Sequence, residues 1–367
     1  MSRKSTQIPQ LSQGNPNELI PSLGGKQIKN PTIKDVAAIA GVSPSTVGRV
    51  IGEYGSTSAK ARERVAKAIK QLGYKPNAIA RSLKSRRTRT LGYLLPIITN
   101  PFHAQIAKGI QDVANAHGYN VILCSTGMNA QRTSELGRVL LENRVDGIVL
   151  SLPGDDSVFG LVEAFRDSGI PIVVCHGSRR IAGVDKVMCD DARGGYLAAK
   201  HLVDFGHRRI GIIAIKDSTT SSLRLDGCRK ALGEVGIDLS PELVMEVPDF
   251  SQEAGYTGTK LLLMRCEQPT AIIAFNDLMA LGAMDALAEE NLGVPGNVSV
   301  VGFDNTFAAV MRPRLTTVAL PMYQAGQIAA QLLFERINGR YRGEPREVSL
   351  PEELILGGSS TVLKIRA

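Results

Sequence analysis

The chain has 367 residues, of which 43% are hydrophobic and 21% are charged, and its net charge is +8. This composition is typical of a soluble globular protein of two or three domains and excludes a mostly disordered one. No apolar run approaches the roughly 18 residues of a membrane span, and residues 1–30 lack the apolar core of a secretory signal. Five scattered cysteines without a CxxC pair argue against a disulfide framework and a structural zinc site, so we expect a cytoplasmic protein.

The charge is distributed unevenly along the chain. Residues 1–90 contain 17 Lys and Arg against 4 Asp and Glu, a net charge of +13, whereas residues 91–367 have a net charge of −5. A basic first part indicates an anionic polymer as its partner, because Lys and Arg neutralise phosphates. The mildly acidic remainder would be repelled by such a polymer at close range, which favours two separate tasks for the two parts.

Residues 31–75 are predicted to form a small helical domain. Thr32 begins a first helix and Gly41 ends it. Ser43 can cap a second helix, with Pro44 at the first helical position, where its missing N–H has no cost. Two short helices joined by a tight glycine turn are typical of a helix-turn-helix, although any small helical hairpin shares this pattern.

Two polar segments flank this domain. Residues 1–30 are rich in Gln, Asn, Ser, Pro and Gly and have no apolar period, so we predict a disordered tail. Residues 76–90 carry five basic side chains between Arg81 and Arg89, opposite an apolar face. This second segment is either a short hinge helix that lies against DNA or a solvated basic linker.

From residue 91 to about residue 360, apolar strand-like runs alternate with helical patterns. The predicted strands are 91–97, 119–124, 147–153, 170–176, 210–215, 271–275 and 298–304. Near-continuous apolar runs separated by helices predict an α/β fold of parallel strands that are buried on both faces. Because about 270 residues are too many for one such unit, we predict two lobes with a ligand-binding cleft beyond the carboxyl ends of their strands.

The sequence lacks the motifs of common enzyme classes. It contains no GxxxxGK[ST] phosphate loop, no HExxH, no GxSxG and no GxGxxG after the first strand. Its five histidines show no i, i+4 pair that would form a metal-binding face. We therefore predict no catalytic residue, no metal site and no cofactor, and we expect that the protein is not an enzyme.

Two stretches carry a specific resemblance. TIKDVAAIAGVSPSTVGRVI (32–51) and LGYKPNAIARSLKSRRTRTLG (72–92) resemble the head and hinge of LacI/GalR-type bacterial transcription repressors. The resemblance continues through NPFHAQIAKGI, GYNVILC, GHRRIG, FNDLMALGAMDAL and VSVVGFDN, and it covers residues 31 to about 360. It implies a helix-turn-helix head at 31–75, a hinge helix at 76–90, and a two-lobed core of parallel sheets at 91–360 like that of periplasmic binding proteins.

The same resemblance implies homodimers or pairs of such dimers. Residues 361–367 are left as a short tail, and they show no leucine heptads of a tetramerisation coiled coil.

The resemblance also assigns roles to residues of the head and hinge. The matching positions are Pro44, Ser45 and Arg49 for base edges, Thr32, Ser43, Thr46 and Asn77 for phosphates, and Ala80, Arg81 and Leu83 for the minor groove. Arg49 has the forked donors that suit guanine O6 and N7. Leu83 would wedge into a central base step, or alternatively pack one hinge helix against another. Gly48 departs from the family, in which Ser is usual, and it lowers the helix propensity.

In the core, the resemblance places effector contacts in the cleft. The best matches are Phe102, Arg224, Phe250, Asn276 and Asp304, and the weaker ones are Ser218, Thr220 and His176. An Arg opposite an Asp and an Asn suits hydroxyl groups, because each of these side chains can bind two at once. Leu320 stands where the family often has Gln, which predicts a different ligand shape.

The sequence therefore predicts an effector-controlled, DNA-binding transcriptional regulator, by family default a repressor of a catabolic operon. It would bind a palindromic operator as a dimer and a sugar or sugar derivative in the cleft. The alternatives are a small-molecule binding protein without a DNA role and a regulator that responds to purines or nucleosides. The residues do not decide between a neutral sugar, a phosphorylated one and a sugar acid, nor between an inducer and a corepressor.

Overall fold

The computed structural model describes residues 31–52, 56–74, 87–152, 156–176, 180–265 and 267–363. The chain separates into two compact units, Met1–Arg81 and Ser82–Ala367. The predicted DNA contacts Asn77, Ala80, Arg81 and Leu83 lie outside the described residues, as does the predicted tail at 1–30.

In its described residues, the first unit contains three helices: α1 at Ile33–Ala40, α2 at Pro44–Gly52 and α3 at Ala59–Leu72. Gly41 and Gly73 end α1 and α3 with φ angles of 60° and 61°, in the left-handed region that glycine adopts without strain. The sequence predicts the stop at Gly41, and Gly73 carries the same glycine signal at the end of α3.

Side chains at the helix starts agree with the predicted caps. The backbone N–H and the hydroxyl of Thr32 both donate to Asp35 Oδ2, at 2.7 and 2.8 Å. Ser43 Oγ accepts a hydrogen bond from the backbone N–H of Thr46 at 3.2 Å. The three helices enclose a small apolar core, made of Val36, Ala37, Ala40, Val47, Val65 and Ala68.

The second unit contains two six-stranded sheets, and the first of them forms lobe 1. Its strands are β1 (Thr90–Leu95), β2 (Asn120–Ser125), β3 (Gly147–Leu150), β4 (Ile172–Cys175), β5 (Asp185–Cys189) and β11 (Glu347–Leu350). They lie in the order β11-β5-β4-β3-β1-β2, and every pair is parallel. The helices of this lobe are α4 (Pro101–Ala116), α5 (Ala130–Glu142), α6 (Asp156–Asp167) and α11 (Met322–Ile337).

The second sheet forms lobe 2. Its strands are β6 (Ile210–Ile215), β7 (Val244–Val247), β8 (Ala271–Ala274), β9 (Ser299–Asp304), β10 (Thr316–Ala319) and β12 (Glu353–Ile355). Their order is β12-β10-β9-β8-β6-β7, with only the β10–β12 pair antiparallel. The helices are α7 (Asp191–Asp204), α8 (Thr219–Gly233), α9 (Gln252–Arg265) and α10 (Asp277–Glu289). No helix in the described part of the chain is long and apolar enough to cross a membrane.

Both faces of each sheet are covered, as the apolar runs predict. In β3, Ile148 and Val149 point into different apolar clusters, and Ile212 and Ile213 do the same in β6. This alternation follows from the two-residue period of a strand. The four cysteines in the described residues, Cys124, Cys175, Cys189 and Cys228, are buried and form no disulfide, as expected of small core residues.

The chain passes three times between the lobes. It leaves β5 for α7 at Asp190, leaves β10 for α11 at Leu320, and leaves β11 for β12 at Pro351. Neither lobe is therefore one continuous segment of the chain. The first crossing places the start of α7 beside the end of β4, where the two lobes meet.

Helices α7 and α8 pack backbone to backbone through two glycines. A Cβ on Gly195 would lie 1.9 Å from the carbonyl oxygen of Arg224, and a Cβ on Gly227 would lie 1.9 Å from that of Ala192. Because glycine has no side chain, the two helix backbones can approach closely at these positions. This contact holds the backbone of Arg224 against the first turns of α7.

Candidate functional site

The first turn of α2 presents a group of hydroxyls at the surface. Ser43 and Ser45 are exposed, and so is Pro44 between them. Ser43 Oγ lies 2.7 Å from Ser45 Oγ and 2.9 Å from Thr46 Oγ1. A helix N-terminus carries a partial positive charge, so hydroxyls at this position can bind a phosphate together with the backbone.

Arg49 lies one turn further along the same helix. It is half-buried, and its Nη2 donates to Thr46 Oγ1 over a long 3.4 Å. Its Nε is buried and has no partner among the described residues. A guanidinium held this loosely keeps most of its donors for another molecule. The helix continues through Gly48 without a break.

In lobe 1, two predicted effector contacts touch each other at the ends of the strands. Phe102 begins α4 and His176 follows β4, and their ring centroids are 4.7 Å apart in an edge-to-face arrangement. The Phe102 ring also meets His103, at 5.0 Å. Phe102 is only 6% exposed and belongs to the same apolar cluster as Leu320. Leu320 thus contributes to the core of lobe 1.

In lobe 2, Arg224 is the most strongly held of the predicted contacts. It is 2% exposed, and its Nε donates to Asp191 Oδ1 at 3.0 Å. Its Nη1 donates to the carbonyl oxygen of Phe275, and its guanidinium carbon lies 4.4 Å from the centre of the Phe303 ring. The Nη2 nitrogen has no hydrogen-bond partner among the described residues, so one edge of the guanidinium is available.

Asp304 ends β9 with a φ of 92°, a strained conformation for a residue other than glycine. It is 6% exposed, and its carboxylate accepts no hydrogen bond from the described residues. Burial raises the pKa of Asp304 to about 7; Arg224 acts against this rise, whereas Asp277 and Asp191 add to it. A strained carboxyl that no described residue bonds can accept a hydrogen bond from a bound molecule.

Asn276 and Phe250 are brought together by a hydrogen bond. Asn276 Nδ2 donates to the carbonyl oxygen of Phe250 at 3.0 Å, and Asn276 Oδ1 accepts from the backbone N–H of Met279 at 2.7 Å. Asn276 therefore caps α10 and ties down the loop of Phe250. Ser218 likewise caps α8, since its Oγ accepts from the backbone N–H of Ser221 at 3.3 Å. Thr220, in the first turn of α8, is half-buried.

Sequence reasoning missed two residues of this site. Asp191, the first residue of α7, is 4% exposed and lies 4.0 Å from His176 Nε2, so it links the Arg224 side of the cleft to lobe 1. His103 is 7% exposed, and burial lowers its pKa to about 3, with His176 acting in the same direction. His103 could have been found from its position next to Phe102. Asp191 could not, because it follows a strand that is too polar to be recognised in the sequence.

The geometry defines two kinds of chemistry. The first unit presents a helix N-terminus with exposed hydroxyls and an Arg with few hydrogen bonds. In the second unit, Arg224 Nη2 and the Asp304 carboxylate have no hydrogen-bond partner among the described residues. No cluster of three or more metal-ligating side chains is found in the described ranges. A helix-turn-helix unit followed by a two-lobed ligand-binding fold defines a DNA-binding transcriptional regulator that responds to a small molecule.

Two family models match the chain. Residues 32–77 match the bacterial regulatory proteins of the lacI family, and residues 199–360 match a periplasmic binding protein-like domain. The HTH-type transcriptional repressor PurR of Pasteurella multocida (strain Pm70) is 36% identical over 328 residues, which cover 89% of this chain and 97% of the relative. The chain therefore belongs to the LacI family of bacterial transcription regulators.

Solved structures agree with this assignment. A Lac repressor dimer bound to operator and an anti-inducer superimposes with a TM-score of 0.81 at 29% identity, covering 91% of this chain and all of the other. A complex of the transcriptional regulator CelR with cellobiose has a TM-score of 0.67 at 34% identity, covering 90% of this chain and 99% of the other. The predicted α/β architecture, with its head and its two sheets, is thereby confirmed.

Proposed function

We propose that the protein is a repressor that binds a palindromic operator as a homodimer. A sugar-like effector would either release it from the operator or increase its affinity for the operator. The open donor and acceptor of Arg224 and Asp304 carry the effector part of this proposal. The target would be a catabolic operon, and the protein would act on the chromosome in the cytoplasm without catalysing a reaction.

The DNA-binding part is supported by the first turn of α2. Pro44, Ser45 and Arg49 would read base edges, and Thr32, Ser43 and Thr46 would contact phosphates. Exposed hydroxyls at a helix N-terminus suit phosphate oxygens. Arg49 would bind guanine through both ends of its guanidinium. Asn77 and the hinge residues would complete the contacts with phosphates and the minor groove.

The effector part is supported by complementary groups at the strand ends of lobe 2. Asp304 needs a hydrogen-bond donor, and Arg224 Nη2 needs an acceptor. A hydroxyl group can serve as either, so a pair of adjacent hydroxyls satisfies both side chains. Phe102 and His176 would form the opposite wall in lobe 1, and Asn276 would hold the Phe250 loop at the rim.

Regulation would follow from the three crossings between the lobes. A ligand that touches both lobes favours one lobe arrangement over another, and it can change DNA affinity only by its preference between the two. Such couplings are typically about 1–3 kcal/mol, or ~5–150-fold in affinity. Because the hinge segment joins the second unit just before β1, a change in lobe 1 would be passed along the chain to the hinge.

The test is a gel shift of the purified protein on its own upstream DNA at a stated salt concentration, with and without a panel of sugars, sugar derivatives and purines. We expect a specific complex that one sugar-like compound weakens or strengthens. A protein that forms no specific complex at low salt would refute the repressor function. Turnover of a bound compound would refute the non-catalytic assignment.

A second candidate is a regulator that responds to purines or nucleosides. The 36% identity to a PurR repressor favours it, and Phe102 could stack on a base. Against it, the Phe102 face is crowded by His103 and His176, and the Phe303 ring is already covered by Arg224. Isothermal titration with hypoxanthine, guanine and adenosine beside the sugars distinguishes the two candidates.

A further inference from the structure

Asp191 has a property that neither the helix cap nor the fold requires. It is the first residue of α7, and Asp190 already caps that helix, since Asp190 Oδ1 accepts from the backbone N–H of Arg193 at 3.0 Å. Asp191 instead directs its carboxylate at Arg224 Nε, 3.0 Å away, with both side chains less than 5% exposed. The charge of Arg224 is therefore balanced inside the protein before any ligand binds.

The charges around Asp304 reinforce this balance. In the described part of the chain, the charged groups that act on Asp304 are Arg224, Asp277 and Asp191. Asp277 is itself held by the backbone N–H groups of Thr306 and Phe307 and by the Thr317 hydroxyl, at 2.6, 3.0 and 2.7 Å. Asp304 thus has two other carboxyl groups and one guanidinium as its charged neighbours. A phosphate or carboxylate on a ligand would enter a region of negative potential.

Hydrogen bonding leads to the same result. In its ionised form Asp304 needs a hydrogen-bond donor, whereas an ionised phosphate or carboxylate has only acceptors to offer. Arg224 retains its Nη2 donors, which can bind one neutral oxygen. A hydroxyl donating to Asp304, next to an oxygen that accepts from Arg224, satisfies both side chains without adding charge.

We infer that Asp191 is a specificity-determining residue, which holds and neutralises Arg224 so that the cleft selects neutral, hydroxyl-rich ligands and rejects their phosphorylated or acidic derivatives. This inference rests on the proposed function and selects the neutral sugars among the neutral, phosphorylated and acidic ligands that the proposal leaves open. Asp191 also acts as a positioning residue, because its bond to Nε, together with the bond from Nη1 to the Phe275 carbonyl, fixes the guanidinium and leaves Nη2 as the remaining donor.

The test is isothermal titration of the full-length protein with neutral and anionic partners: ribose against ribose 5-phosphate, glucose against glucose 6-phosphate, and glucose against gluconate, with cellobiose added. We expect binding of a neutral member and at least about tenfold weaker binding of its anionic partner, since a like charge within a few ångströms of a buried carboxylate costs more than one decade. Equal or tighter binding of the anionic member would overturn the inference.

Asp191→Asn provides the second arm, because it keeps the shape and frees the charge of Arg224. We expect the ratio of anionic to neutral affinity to rise about tenfold, with Asp190→Asn as the matched control that leaves the ratio unchanged. If both variants behave alike, Asp191 does not set the specificity. Asp191→Glu should retain the neutral preference, which covers the case in which Asp191→Asn does not fold.

The gel shift on upstream DNA, run on the same samples, distinguishes a failure of the proposed function from a failure of the role assigned to Asp191. A protein that binds no DNA specifically contradicts the proposed repressor. A protein that binds DNA and prefers an anionic compound contradicts only the role of Asp191.

Discussion

The two candidate sites differ in how their side chains are held. In the first unit, Ser43, Pro44 and Ser45 are exposed, and the Ser43 hydroxyl bonds only to nearby groups of the same helix turn, including the Ser45 hydroxyl. In the second, Arg224 and Asp304 are 2% and 6% exposed and are placed by neighbouring helices and strand ends. Side chains that contact a polymer can have few hydrogen bonds within the protein, because the polymer supplies the missing partners. The side chains of a cleft for a small molecule are instead held in place before the ligand binds.

This difference has an energetic consequence. A substitution at the exposed site changes what the protein binds and leaves the fold nearly unaffected. A substitution at the buried site also changes the stability, because it leaves a charge or a polar atom without its partner. The four predictions below test this contrast, beginning with the largest expected effect.

Arg224→Ala should destabilise the second unit by about 3–5 kcal/mol, because it leaves Asp191 as a buried, unpaired carboxylate. Chemical denaturation followed by circular dichroism measures this loss. Arg229→Ala on the same helix is the control: its side chain is 55% exposed and pairs with Asp226, so we expect a change of about 0–1 kcal/mol. Similar losses in both variants would mean that the buried ion pair does not stabilise the lobe.

Arg49→Ala should weaken operator binding by about 1–3 kcal/mol and relax the preference for guanine at one position of each half-site. Gel shifts with every base substituted in turn would show which position loses discrimination. Lys67→Ala on α3 removes the same charge from an exposed ion pair with Glu63, so it controls for the loss of charge. An unchanged base preference in Arg49→Ala would remove Arg49 from the base-reading set.

Asp304→Asn should remove a loss of stability that the wild type suffers as the pH rises. Because burial raises the pKa of Asp304 from 3.8 to about 7, its ionised form destabilises the folded state. This cost is absent below about pH 4, grows as the pH rises, and is complete above about pH 7. The variant should therefore melt a few degrees higher than the wild type at pH 8, with no gain at about pH 4.

The charged groups that act on Asp304 are Arg224 on α8, Asp277 on α10 and Asp191 on α7. None of them is altered in Asp304→Asn, so the difference between the two melting profiles reports Asp304 itself. A variant whose melting temperature follows the wild type at every pH would contradict a raised pKa.

Ser43→Ala should have the smallest effect on the fold, about 0.5–1 kcal/mol from the lost helix cap. Ser58→Ala is a matched control, because Ser58 Oγ caps α3 through the backbone N–H of Ala61 at 3.3 Å. Both variants should unfold with similar midpoints, but only Ser43→Ala should weaken DNA binding. Equal DNA affinities in the two variants would contradict a phosphate contact by Ser43.

The elements that could be predicted from the sequence have strong local signals. Apolar runs give β1, β6 and β9, and the glycines at 41 and 73 give the ends of α1 and α3. The strands β5, β7, β10, β11 and β12 are not predicted, because they are three to five residues long and carry polar side chains. They pair at or near sheet edges, where the partner strand rather than the local sequence determines the structure.

The candidate site divides in the same way. Positions such as Arg224 and Asp304 follow from a family pattern, and the structure places Arg224 near enough to Asp304 to act against the rise in its pKa. Asp191 could not be found in that way, since its importance depends on the packing of α7 against α8 at Gly195 and Gly227. Such close approach of two backbones depends on the tertiary structure, and its only sign in the sequence is the presence of small residues.

The three crossings between the lobes also bear on the order in which a growing chain can be completed. The strands β1 to β5 of lobe 1 are synthesised first, but the helix α11 that covers one face of their sheet begins only at Met322, and the edge strand β11 at Glu347. A nascent chain that ends at Leu320 thus leaves β3, β4 and β5 uncovered on the face where α11 later packs. Lobe 1 is begun first on the ribosome, and it reaches its final form only when nearly the whole chain has been translated.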